Sequence, residues 1–133
     1  MNNPKLKASP NEPVIRYHFI FCPRYRRKIF TIDGLEDRFR RLTQEACNSN
    51  ELTILEMECD VDHVYLHLEC GPTWSPCDIM NVVKGASSRV LREEFPTLSS
   101  MPSLWTRDFF VTTAEILNAD AIQNYVMSLK TRP

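Results

Sequence analysis

The chain has no apolar run approaching the roughly 20 residues that a membrane-spanning helix needs. Its opening stretch, MNNPKLKASPNEP, has no apolar segment of the kind a secretory signal carries. Residues 1–13 read instead as a flexible polar arm, and residues 14–133 as a single domain. There is no Cys-x-x-Cys pair. The five cysteines, at 22, 47, 59, 70 and 77, are odd in number and show neither a disulfide framework nor a zinc-ribbon spacing. Reduced thiols and a cytoplasmic location follow as expectations. An excess of positive charge is missing too. The 16 Lys and Arg against 17 Asp and Glu give a formal net charge of −1, which argues against a uniformly basic nucleic-acid binder but allows a local basic patch. Internal repeats and low-complexity tracts are absent. What is there is 133 residues, 43% apolar and 25% charged, enough for one domain with a real core.

Hydrophobic patterning gives the order of elements. Residues 14–22, VIRYHFIFC, are aromatic and β-branched and stop at Pro23, which predicts a strand. Ile15, Tyr17, Phe19 and Phe21 share one face of it, and Arg16, His18, Ile20 and Cys22 the other. A helix is expected over 33–49, with Leu35, Phe39, Leu42 and Ala46 as its stripe. Two strands, about 51–59 and 63–70, flank a turn at Asp60–Asp62 and form a hairpin. Ser75-Pro76-Cys77-Asp78 begins a helix with a serine cap, a proline in the first turn and an acid behind it. That helix runs to about Phe95, with Ile79, Val83, Ala86 and Val90 toward the core. A fourth strand is expected near 109–115. Asn118 caps a last helix, 119–130, with Ile122, Tyr125, Val126 and Leu129 on its apolar side. The order β-α-β-β-α-β predicts a ferredoxin-like α+β domain with an antiparallel sheet and an additional C-terminal helix.

Chemistry concentrates in two stretches. In DVDHVYLHLEC, residues 60–70, His63, Tyr65, His67 and Glu69 alternate with Val64, Leu66 and Leu68, the period of a half-buried strand. On a strand, His63 and His67 lie about 13 Å apart along the chain, too far for an easy two-histidine grip on one ion. Taken alone they read as exposed or cross-strand residues, and His18 as the partner of some neighbour. In RYRRK, an aromatic sits inside four cations. Arg24, Tyr25, Arg26, Arg27 and Lys28 suit phosphate contact with base stacking, or an ordinary solvated turn. Lys84, Arg89 and Arg92 add charge to the second helix. Trp105 reads as core, while Trp74 fits either core or a stacking surface.

Five ordered segments resemble the small single-strand DNA transposases of the IS200/IS605 group, a branch of the HUH nucleases. They are YHFIFCPRYRRKIF, DHVYLHLECGP, SPCDIMNVVKGASSRVLREEFP, SLWTRDFFVTT and IQNYV, and together they span about residues 14 to 130. The resemblance implies a homodimer that recognises hairpin DNA and cuts single strands through a 5′-phosphotyrosine, with Tyr125 as nucleophile. It implies a Mg²⁺ or Mn²⁺ ion, with His63 as a ligand, and DNA contacts from Arg24, Tyr25, Arg26, Arg27, Lys28, Lys84 and Arg89. The sequence departs from the pattern twice. Tyr65 stands at the second histidine of the HUH motif, leaving Tyr65 and His67 as weak candidates for metal binding. Leu129 stands at the third ligand position, four residues after Tyr125, with Ser128 beside it. A catalytically silent relative that still binds DNA is therefore an alternative. A ferredoxin-like RNA-binding or protein-interaction domain is a third. By itself, Tyr125 on an apolar stripe reads as packing.

Overall fold

The structure, a computed structural model, describes residues 13–114 and 119–128. The proposed arm falls outside these apart from Pro13, as do Asn118 and Leu129. Four strands form one antiparallel sheet: β1 (Ile15–Phe21), β2 (Thr53–Cys59), β3 (Val64–Cys70) and β4 (Phe110–Thr112), in the order β2-β3-β1-β4. Helix α1 (Leu35–Ser49) follows β1, α2 (Pro76–Glu94) follows β3, and α3 (Ala119–Ser128) follows β4. This is the ferredoxin-like order with the extra terminal helix. No helix among the described residues is long and apolar enough to cross a membrane.

The strand pattern explains the core. Phe19 and Phe21 of β1 and Val64, Leu66 and Leu68 of β3 are fully buried on one face of the sheet. They join Leu35, Phe39 and Cys47 of α1 and Ile79, Met80, Val83 and Leu91 of α2 in one cluster. Each large apolar side chain removed from water contributes about 1.5–3 kcal/mol. Trp74 and Trp105 both belong to that cluster. Trp105 packs edge-on against Phe21 with ring centroids 5.0 Å apart.

Three local expectations need correction. The buried side of α1 includes Thr43 and Cys47 rather than Ala46. On α2 the stripe turns toward Ser87 and Leu91 instead of Ala86 and Val90. Ser87 is buried because its hydroxyl donates to the Val83 carbonyl at 3.1 Å and accepts from Trp105 Nε1 at 3.0 Å. In β2 the register shifts between Ile54 and Glu56, so Leu55 is an extra, exposed residue. The shift puts Glu56 opposite His67 and Glu58 opposite Tyr65. The serine cap of α2 is as expected: Ser75 Oγ accepts from the Asp78 N–H at 3.1 Å.

Candidate active site and nucleic-acid interface

The face of the sheet away from α1 and α2 carries the polar residues. Directly paired residues of antiparallel strands point to the same side. His18 is opposite His67 and Thr112, and Ile20 is opposite Tyr65 and Phe110. The register therefore makes a row Glu58–Tyr65–Ile20–Phe110 beside a row Glu56–His67–His18–Thr112. The Phe110 ring meets Tyr125 of α3 with centroids 5.5 Å apart. Helix α3 thus brings Tyr125 to this face, half-buried, with its hydroxyl shielded from solvent.

His18 of β1 meets both Tyr65 and His67 of β3. A hydrogen bond of 2.6 Å joins its Nδ1 to the Tyr65 hydroxyl, and its ring stacks on His67 with centroids 4.0 Å apart. Burial, with Glu56 and Glu58 nearby, raises the Tyr65 phenol above its usual range. Burial, then His18 and Arg16, lowers His67. The Tyr65 hydroxyl is thus bonded to His18, and the His67 ring lies flat against the His18 ring. The ring Nδ1 of His63 donates to Asp62 Oδ1 at 2.9 Å, and its Nε2 lies 3.9 Å from Asp60 Oδ2. Asp62, buried, also accepts from Arg26 Nε at 2.8 Å. Burial alone would raise its carboxyl, but the hydrogen bonds from His63 and Arg26 outweigh that and hold it below the ordinary value.

These donors do not make the metal set that the resemblance implies. Among the described residues, no three His, Cys, Asp or Glu side chains converge as ligands. Tyr65 is engaged with His18, and leucine at 129, outside the described residues, has no donor atom to offer a cation.

The basic candidates separate by environment. Tyr25 is 56% exposed, and Arg27 and Lys28 are exposed beside it. Arg24, Tyr25 and Arg27 line a shallow pocket of about 270 Å³ with Ser100, Met101 and Pro102. Arg89 is exposed and pairs with Glu93 at 3.1 Å. Arg26 turns inward to Asp62. Lys84 is half-buried, with Nζ donating to the carbonyls of Thr106, Arg107 and Asp108 at 2.8, 3.4 and 3.3 Å. Burial pulls its ammonium down from 10.5 to about 8, against the attraction of Asp108. Asp62 does not stand out in the sequence; its one signal is a carboxylate directly before His63. The Arg26 partnership needs the fold to be seen.

Fold and site together define a ferredoxin-like domain that sets a histidine-bearing strand beside a tyrosine-bearing helix. The family described as "Transposase IS200 like" matches residues 12–128. The chain belongs to this IS200-like transposase family. The transposase for insertion sequence element IS200 of Salmonella typhimurium is 34% identical over 115 residues, covering 84% of this chain and 74% of that protein. A crystal structure of a candidate transposase from Deinococcus radiodurans superposes with a TM-score of 0.81 at 25% identity, over 92% of this chain and 96% of the other. The REP-associated tyrosine transposase bound to a REP hairpin shares the fold, with a TM-score of 0.54 at 11% identity, over 90% of this chain and 68% of that one.

Proposed function

We propose that this transposase recognises hairpin or single-stranded DNA as a homodimer and cuts it with Tyr125. The observation that carries the reading is the link from His63 through Asp62 and Arg26 to α3, which gathers the histidine and the tyrosine helix at one end of β3. Family membership supports the choice of nucleophile. In the step, the Tyr125 phenol loses its proton and its oxygen attacks phosphorus. The bond from phosphorus to the 3′ oxygen breaks, and that oxygen takes up a proton. The 5′ phosphate stays on the tyrosine. A phenol of pKa near 10 is a weak nucleophile at neutral pH, so the site has to favour the ionised form or offset charge on the phosphate. Arg24, Tyr25 and Arg27, around one open pocket, suit a phosphate backbone with a stacked base.

A second reading is a silent DNA-binding relative, and the observation favouring it is the bond that holds Tyr65 to His18. One experiment addresses both. Labelled single-stranded hairpin oligonucleotides are incubated with the protein and Mg²⁺ or Mn²⁺, then run on a denaturing gel. A covalent adduct that disappears in Tyr125→Phe is the expected result. No adduct from the wild type, with one appearing in Tyr65→His combined with Leu129→Gln, identifies the silent relative instead.

A further inference from the structure

Arg26 is built into the molecule in a way that a phosphate contact does not require. Tyr25 and Arg26 both adopt left-handed backbone, with φ of 58° and 53°. Side chains other than glycine rarely take that conformation, and it persists only where surrounding contacts enforce it. Here the Arg26 N–H donates to the Pro23 carbonyl at 2.9 Å, and the Arg27 N–H to the Arg24 carbonyl at 3.3 Å. The turn leaves Tyr25 outward while the Arg26 side chain reaches inward. The Arg26 Nε end meets Asp62, which in turn accepts from His63. Its Nη1 end meets the Val126 carbonyl at 3.4 Å and Met127 Sδ at 3.7 Å. The Val126 carbonyl lies in the last described turn of α3, toward the end where a cation meets the negative pole of the helix dipole.

We propose that Arg26 is a positioning residue, which holds His63 through Asp62 and docks the helix carrying Tyr125, and is not a contact to DNA. The roles of His63 and Tyr125 rest on the preceding reading, but the coupling between them is a property of this fold. A carboxylate that accepts from Nδ1–H fixes the tautomer and leaves Nε2 as the open nitrogen. The guanidinium suits this because its planar fork donates in two directions at once. A lysine ammonium is a single point that can keep Asp62 but not span to α3 as well.

The test uses the full chain and two readouts that need no catalysis: ¹⁵N NMR of the His63 ring and amide hydrogen exchange across α3. In Arg26→Gln, α3 amides exchange about tenfold faster, and His63 changes from the Nδ1–H form to a tautomer mixture. Arg26→Lys, the milder variant, keeps the Nδ1–H signature while α3 still exchanges faster. Binding of a hairpin oligonucleotide keeps its salt dependence in both variants. In contrast, Arg27→Ala lowers the slope of log affinity against log salt by about 0.7–0.9. Unchanged α3 exchange in Arg26→Gln, or a salt slope lowered as in Arg27→Ala, overturns the proposal. A missing covalent adduct with both structural readouts as expected counts against Tyr125 as nucleophile and leaves the clamp standing.

Discussion

Tyr65 Oη lies 2.6 Å from Nδ1 of His18, and that bond engages the phenol that stands two residues after His63. A neutral phenol, its ionisation opposed by burial and by Glu56 and Glu58, offers a cation little compared with an imidazole. Tyr65→His restores a nitrogen donor two residues from His63 on the same strand face. Titration calorimetry with Mn²⁺ is expected to show tighter binding by Tyr65→His than by the wild type. Equal binding by both proteins contradicts this reading and means that another donor set is in place. The alternation of β3 was readable from the sequence, since Val64, Leu66 and Leu68 have only one way to be buried together. That His18 lies across from His67 and bonds Tyr65 was not. The contacts of His18 with Tyr65 and His67 join residues 47 and 49 positions apart, which no local pattern records.

At the scale of elements, Lys84 ties α2 to the segment that enters β4. Its ammonium gathers three successive carbonyls, and β4 then presents Phe110 to Tyr125. The folded-state pKa near 8 lies below the ordinary 10.5, chiefly through burial. Between these values the unfolded chain binds more protons, so this group makes the folded state gain stability as pH rises through that window. Lys84→Met removes that gain. Urea midpoints at pH 7.5 and pH 10 are expected to change more favourably with pH in the wild type than in the variant. The difference isolates Lys84 from the buried Cys22, Cys47 and Cys70 and the half-buried Cys59, whose thiols are pushed up to about 11 or 12. An identical pH dependence in the two proteins refutes the assignment. Element order, the serine cap of α2 and most strand limits were legible because they depend on local periodicity and capping chemistry. The Leu55 bulge and the buried Ser87 were not: a bulge depends on the partner strand, and a polar residue enters a core only when distant groups such as Trp105 satisfy it. Likewise Arg26 and Lys84 look like surface cations in the sequence, which shows their charge but not their partners.

For the whole molecule, the near-neutral net charge makes binding depend on where the cations are exposed. Arg24→Ala and Arg27→Ala are each expected to weaken hairpin DNA binding and reduce the salt slope by about 0.7–0.9, read by anisotropy at several salt concentrations. An unchanged slope removes that turn from the interface. Light scattering is expected to give twice the mass of the chain, and a monomer at micromolar concentration contradicts the dimer. Tyr125 is proposed as the attacking group, and locating the attached nucleotide decides the matter. The protein is incubated with hairpin oligonucleotide and divalent cation, digested, and mapped by mass spectrometry. The expected product is a phosphonucleotide on the peptide that contains Tyr125. Attachment to Tyr17, Tyr25 or Tyr65, or no attachment on any tyrosine, contradicts it.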